Sequence, residues 1–108
     1  MNTWLLSKGT KAALVDIYDY TSDKWGARQA GNSLNGMLES FKKICNRKTL
    51  WRPIPDEFET KGFFTRYKQN YIYWKQFPDG GIGIVAILHV SMMQGERLTK
   101  AFDLLESE

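Results

Sequence analysis

The sequence is poor in the residues that most metal and redox sites need. It has one cysteine, Cys45, and one histidine, His89, among its 108 residues. A single cysteine excludes an internal disulfide, and with a single histidine it excludes a multi-cysteine or histidine-rich metal centre. There is no GxxxxGK[ST] phosphate loop, and the glycines within residues 80–83 follow a turn pattern instead of joining a strand to a helix. We therefore expect neither a metal nor a cofactor.

Long hydrophobic runs are missing as well. The longest, residues 82–88, falls far short of the ~20 residues that a membrane helix needs. The apolar run at residues 4–6 is too short for a signal peptide and no basic residue precedes it. The length is that of one domain, so the expectation is a single cytoplasmic domain over residues 1–108 without membrane association.

Positive charge is concentrated in one segment. Lys and Arg number 15 against 12 Asp and Glu, a net charge of +3. No acidic residue lies between positions 42 and 55, which hold Lys42, Lys43, Arg47, Lys48 and Arg52. Beside the aromatic residues 63–75, these cations would suit single-stranded nucleic acid. Alternatively, they favour a helix end while the aromatic residues fill the core. The residues leave both interpretations open.

Two helices joined at Gly26 are predicted for the N-terminal half. Apolar residues recur at helical spacing over residues 11–25 and, more strongly, over residues 27–45. Gly26 has the backbone freedom that commonly ends a helix. The pair should form an antiparallel hairpin, with Trp25 anchoring its turn and serving stability.

Some helical residues need an explanation of their own. Gly31 and Gly36 each weaken the second helix by about 1 kcal/mol, which is tolerable if they let another backbone approach closely. Asp16, Asp19 and Asp23 share one helical face. Three carboxylates suit a hard cation, but a solvated polar face is the simpler interpretation.

Four strands complete the pattern, at residues 3–7, 63–68, 71–77 and 82–88. The last is apolar at both alternating sets of positions, which predicts a strand buried on both faces and central in the sheet. Pro53 and Pro55 predict irregular structure over residues 46–59. Helical spacing returns from Leu98 onward.

The order is therefore β-α-α-β-β-β with a short C-terminal helix, an α+β domain of two layers. A helix hairpin packs on a mostly antiparallel four-stranded sheet, with the first strand received at one side of a three-stranded meander. The hairpin covers only one face of this sheet. The C-terminal helix, a second copy or a partner chain must cover the surplus apolar surface.

Few residues are candidates for chemistry. His89 follows the central strand, where a hydrogen-bonded structural role is favoured over nucleophilic catalysis. Cys45 ends an apolar helical stripe and is interpreted as a small hydrophobe. Arg66 places a charge within an aromatic strand, which is costly unless the charge is paired or used. A functional role and an ion pair to Glu57 or Glu59 are equally favoured.

The ordered segments resemble the ParE toxins of the RelE/ParE superfamily over nearly the whole chain, from about residue 5 to residue 98. The segments that carry the resemblance are Asp16-Ile17-Tyr18-Asp19-Tyr20, Lys24-Trp25-Gly26, Arg28-Gln29-Ala30, Gly62-Phe63, Arg66-Tyr67, Tyr71-Ile72-Tyr73-Trp74-Lys75, and Ile84-Val85-Ala86-Ile87-Leu88-His89 with Met92.

The resemblance implies the toxin of a type II toxin–antitoxin pair, of the kind that stabilises plasmids. Such a toxin binds a ParD-like antitoxin and inhibits DNA gyrase, through its A subunit, by stabilising the cleaved-DNA complex. It performs no chemistry and meets nucleic acid only through the gyrase–DNA complex. The candidates for target or antitoxin binding are Arg66, Lys75, His89 and Met93.

The superfamily also implies an alternative, a RelE-like ribosome-dependent mRNA interferase. That reaction needs a base, an acid and cations on the phosphate. Where that branch has basic and tyrosine residues beyond the last strand, this chain has residues 90–93 without charge. The chain also has Met93 and Gln94 where ParE toxins usually have an acid, and its acidic ending diverges. An inactive relative kept as a binding module is the third possibility.

Overall fold

The structure is a computed structural model and describes residues 4–56, 60–90, 97–98 and 101–102. Its elements in chain order are β1 (Trp4–Leu6), α1 (Lys8–Trp25), α2 (Ala27–Cys45), β2 (Arg52–Pro53), β3 (Phe63–Tyr67), β4 (Asn70–Gln76) and β5 (Ile82–His89). The backbone is helical again at residues 97–98 and 101–102. The predicted α+β order is confirmed, with one additional strand.

The five strands form one mixed sheet in the order β1-β5-β4-β3-β2. β1 runs parallel to β5, and the other neighbours are antiparallel. β5 lies between β1 and β4 and is buried continuously from residue 82 to residue 87. Its prediction as a central strand, buried on both faces, is therefore confirmed.

The additional strand is β2, a two-residue segment where the prolines predicted irregular structure. Pro53 pairs with Phe63 at the edge of the sheet. Proline is tolerated there, because an edge strand has one side on which no backbone N–H is needed. The four-strand prediction was wrong by this short segment.

A β-bulge in β5 changes which residues of that strand face each side of the sheet. Tyr73 is paired with Ala86 and Trp74 with Ile84, so Val85 is the extra residue. Ile84 and Ile87 consequently share the cluster that contains α2 residues, whereas Val85 and Ala86 belong to the opposite cluster. The extra residue shifts the alternation by one position. Strict alternation without the bulge would place the second half of β5 on the opposite faces.

Two buried hydroxyl groups connect the start of α1 to this bulge. Ser7 is the N-cap, and its Oγ accepts a hydrogen bond from the Thr10 backbone N–H at 3.0 Å. The same Oγ lies 2.8 Å from the Val85 carbonyl oxygen as a donor, and Thr10 Oγ1 donates to the Ile84 carbonyl at 3.0 Å. The cap makes α1 begin at Lys8, three residues before the predicted start.

Gly26 forms the junction of the helix hairpin. Its φ of +93° and ψ of 163° lie in a region that is essentially restricted to glycine. Its N–H donates to the Ser22 carbonyl at 2.9 Å, and its own carbonyl accepts from the Ala30 N–H at 3.1 Å. One residue thus ends α1 and begins α2. The predicted role of Gly26 is confirmed, although its conformation is not the left-handed helical one.

Two apolar clusters lie on the two sides of the sheet. The first packs α2 against the sheet and includes Met37, Phe41, Ile72 and Trp74. The second, on the opposite side, contains Ile54, Tyr73, Val85, Ala86, Leu98 and Phe102. Leu98 is fully buried, so Leu98 and Phe102 are among the side chains that cover the second face. No helix in the described part of the chain is long and apolar enough to cross a membrane.

Candidate functional site

An apolar groove runs along the outer side of the helix hairpin. It encloses about 530 Å³ and is lined by Lys11, Leu14, Val15, Tyr18, Leu34 and Leu38. We call this surface the hairpin groove. Val15 is 58% exposed, and Lys11 is the one charged residue of the lining. Exposed apolar surface of this kind commonly marks a site for another protein.

A second concavity, which we call the aromatic cleft, lies between the helix hairpin and the β3–β4 end of the sheet. It encloses about 720 Å³. Its lining is contributed by Ala13, Asp16, Ile17, Tyr20, Thr21, Trp25, Gln29, Ser33, Met37, Tyr67, Lys68, Gln69, Asn70, Ile87 and His89. Tyr20 and Trp25 are 60% and 70% exposed. The cleft therefore combines accessible rings with a histidine and a lysine.

The exposure of Trp25 departs from its predicted role. A side chain that anchors a turn by packing loses most of its contact with solvent, whereas this ring keeps 70% of it. Burial therefore gives it little stabilising effect. The turn is held by the backbone of Gly26, and Trp25 is an interaction candidate instead.

Arg66 does not carry the buried charge that made it a candidate. Its side chain is exposed at the end of β3, and its Nε donates to the Lys68 carbonyl at 2.9 Å. Because the guanidinium keeps its contact with water, the desolvation cost inferred from the aromatic neighbours does not apply. Its proposed ion-pair partners, Glu57 and Glu59, lie outside the described residues.

The remaining sequence candidates are not gathered into one site. His89 is exposed at the end of β5 and lines the aromatic cleft, not the core. Lys75 lies in β4 opposite Gly83, with its Nζ 5.6 Å from the centroid of the Phe77 ring. Neither Lys75 nor Arg66 lines the cleft. Met93 lies outside the described residues.

The strand aromatics pack on one another. Trp51 and Phe63 have ring centroids 4.9 Å apart, and Phe64 lies 6.0 Å from both Tyr71 and Tyr73. Burial, followed by the influence of Tyr71, raises the pKa of Tyr73 to about 12. These contacts favour the core-filling interpretation of the aromatic residues over a platform for stacking bases.

The cations of residues 42–52 are all exposed; we call Lys42, Lys43, Arg47, Lys48 and Arg52 the basic patch. Lys42 Nζ lies 3.2 Å from Glu39 Oε1, a pair whose side chains are both more than half exposed. The Arg47 guanidinium carbon lies 3.5 Å from the centroid of the Trp51 ring. The patch thus has one ordered cation–aromatic contact at its centre.

The other chemical candidates are inert in this arrangement. Cys45 is buried, and burial raises the pKa of its thiol, which disfavours the nucleophilic thiolate. Its interpretation as a small hydrophobe is confirmed. Asp16, Asp19 and Asp23 are exposed, as a solvated face requires. Within the described ranges, no group of three acidic, histidine or cysteine side chains is placed to hold a metal ion.

Sequence reasoning missed the hairpin groove and the exposure of Tyr20. The available signal was in α1, where Val15 and Tyr18 add apolar surface beside the positions that pack on the sheet. An 18-residue helix with apolar side chains on two sides has more such surface than one sheet can cover.

Comparison with solved structures finds a chain with a similar fold. The chain is similar to a chain in a structure of the chromosomal ParDE TA (toxin–antitoxin) system from P. aeruginosa, with a TM-score of 0.67 and 17% sequence identity. The similarity covers 82% of this chain and 96% of that one. At this identity the likeness establishes a shared fold. No protein-family model and no curated protein matches the chain.

Proposed function

We propose that the chain is the toxin component of a type II toxin–antitoxin pair. The observation that carries this proposal is the fold shared with a chain of the ParDE system over 96% of that chain. Fold alone does not determine function. The ordered ParE-like segments of the sequence add support, as does the presence of an apolar surface that a partner can cover.

In this proposal a ParD-like antitoxin covers the hairpin groove. Leu14, Leu34 and Leu38 offer an apolar strip between two helices, which suits the apolar face of an amphipathic segment. Lys11 at the groove attracts acidic residues of such a segment, in keeping with the net positive charge of the toxin. An antitoxin that is disordered alone would fold on this surface as it binds.

The proposed target is cytoplasmic DNA gyrase, bound through its A subunit, and the toxin itself carries out no reaction. A gyrase poison has to bind and hold the cleaved-DNA state, for which exposed aromatic residues are suitable contacts. Tyr20 and Trp25 in the aromatic cleft supply such contacts. His89 also lines this cleft, whereas Arg66 and Lys75 are candidates that lie outside its lining.

Regulated expression tests the toxin assignment. Induction of the chain alone should arrest growth, and co-expression of a short acidic protein encoded beside it should restore growth. The variant Val15→Asp/Leu34→Asp places charge in the hairpin groove and should lose rescue while retaining arrest, because Val15 is 58% exposed. Normal growth on induction, with folded protein in the cell, would contradict the assignment.

A reconstituted reaction tests the target. Purified protein added to gyrase and supercoiled plasmid should yield linear DNA linked to protein, detected after detergent and protease treatment. Omission of gyrase is the control for nuclease contamination. Intact plasmid at a large molar excess of the protein would exclude gyrase as the target.

The RelE-like mRNA interferase is kept as a second candidate because Tyr67, Lys68 and His89 line one cleft. A histidine is the commonest general acid or base, and a lysine can stabilise charge on a phosphate. Tyr20 and Trp25 on the opposite wall suit stacking on bases. Transcript cleavage that requires translating ribosomes and is lost in His89→Ala would favour this candidate over gyrase.

A further inference from the structure

We infer that the basic patch binds the phosphate backbone of a nucleic-acid duplex directly. The inference goes beyond the proposed function, in which nucleic acid is met only through gyrase, and it needs neither gyrase nor an antitoxin. Three observations support it. Most of the patch cations make no ion pair within the described residues, Arg47 is held against Trp51, and the aromatic rings beside the patch pack on one another.

Among the residues that the structure describes, most of the patch cations have no ion-pair partner. Lys43, Lys48 and Arg52 make no ion pair within the part of the chain that the structure describes. The Lys42–Glu39 pair is exposed, and pairs of this kind contribute little. The patch is confined to the last turn of α2, the loop after it and β2, so several like charges repel one another over a short length of chain.

The helix end accounts for only part of this charge. A helix C-terminus favours cations within its last turn, which applies to Lys42 and Lys43. Lys48 lies beyond α2, and Arg52 lies in β2. Their charge gains nothing from the helix dipole. A polyanion that neutralises the whole patch would explain why they are present.

Arg47 is held by contacts of both its backbone and its side chain. Its φ of +59° places it in the left-handed region, where glycine is the usual residue at a helix end. Hydrogen bonds from the Arg47 N–H to the Ile44 carbonyl and from the Lys48 N–H to the Lys43 carbonyl close the helix. The guanidinium stacks on Trp51, whose Nε1 donates to the Ile44 carbonyl at 3.0 Å. These contacts restrict the Arg47 side chain in the free protein, so it loses less conformational entropy on binding.

A duplex backbone fits this surface better than a single strand or a peptide. Single-strand binding needs aromatic faces for the bases, but Arg47 covers one face of Trp51 and the strand aromatics pack on one another. An extended peptide would pair with the free edge of β2, where Pro53 has no N–H to donate. A surface rich in cations without accessible rings matches recognition of phosphates alone.

Binding to a fluorescein-labelled 20-base-pair DNA duplex, followed by anisotropy, tests the inference. For five phosphate contacts, the slope of log K against log salt should approach about −4.5. The patch variant Lys43→Gln/Lys48→Gln/Arg52→Gln should bind at least about 10-fold more weakly and lose about 2.7 from that slope. The control variant Lys11→Gln/Lys24→Gln/Arg28→Gln has the same net charge as the patch variant. It should keep most of the affinity for the duplex and most of the salt slope.

Circular dichroism and thermal melting establish that both variants are folded. Equal losses in the two triple variants would show that net charge alone attracts DNA, and would overturn the inference. Absence of duplex binding at low salt would do the same. Patch-dependent binding to poly-glutamate that is tighter than to the duplex would identify an acidic protein partner instead. Comparison with a duplex RNA of the same sequence shows whether the patch prefers a DNA or an RNA backbone.

Discussion

The hydroxyl group of Tyr67 occupies the space that a Cβ atom would need at Gly36, where β3 packs on α2. Tyr67 Cζ lies 3.1 Å from that same position. Gly36 therefore makes room for the aromatic side chain of Tyr67. The sequence had instead suggested the close approach of another backbone. This contact also places Tyr67 in the wall of the aromatic cleft.

Alanine at the two glycines of α2 should have opposite effects. Gly36→Ala should lower the free energy of unfolding by about 1–2 kcal/mol, because overpacking against Tyr67 exceeds the gain in helix propensity. A Cβ atom added at Gly31 meets no atom within 4 Å. Gly31→Ala should therefore raise the free energy of unfolding by about 0.5–1 kcal/mol. Urea titration measures both. Stabilisation by Gly36→Ala would show that the Tyr67 contact is not restrictive.

The two hydroxyl groups at the start of α1 should differ in importance. Ser7→Ala removes the helix cap and the donor to the Val85 carbonyl, and should cost about 1–3 kcal/mol. Thr10→Val should cost less, because the Ile84 carbonyl still accepts from the Ser7 N–H at 3.1 Å. Thermal unfolding of the two variants gives the comparison, and a larger loss for Thr10→Val would contradict this hierarchy.

Alkaline pH should destabilise the protein through Tyr73. Burial raises the pKa of this phenol to about 12 in the folded state, above its ordinary value of 10.0. Between these values the unfolded chain binds fewer protons, so the free energy of unfolding falls as pH rises from 10 to 12. Tyr73→Phe should flatten that part of the stability curve, and an unchanged slope in this variant would contradict the assignment to Tyr73.

Trp25 should matter for binding and not for folding. Because its side chain is 70% exposed, Trp25→Ala should change the free energy of unfolding by no more than about 0.5 kcal/mol. Under the proposed toxin function, Trp25→Ala should also reduce growth arrest, since it removes the largest ring of the aromatic cleft. Chemical denaturation and induced growth curves measure the two effects. A fully toxic variant would exclude this ring as a target contact.

The regular elements could be predicted because their signals are local. The apolar stripe from Ala27 to Cys45 predicted α2 with its observed limits, and the apolar run at residues 82–88 lies in a strand that is central in the sheet. The bulge at Val85 has no local signal, and the side chains that contact its carbonyl groups, Ser7 and Thr10, are more than 70 residues away in sequence.

The candidate site was less predictable because it depends on exposure. An arginine among aromatic residues indicated burial, yet the direction of Arg66 leaves it in water. Trp25 suggested a packing role from its residue type alone, and the hairpin groove arises only when both helices are placed together. The placement of His89 at the end of the central strand was predicted correctly, but its neighbours across the cleft come from α1.

The parallel pairing of Trp4–Leu6 with residues 82–84 has a consequence for synthesis. β1 can pair only after β5 has been made, so this part of the sheet cannot close until residues 82–84 have left the ribosome. Contacts so distant along the chain also slow folding. Nascent and truncated chains that end before residue 82 therefore leave β1 unpaired.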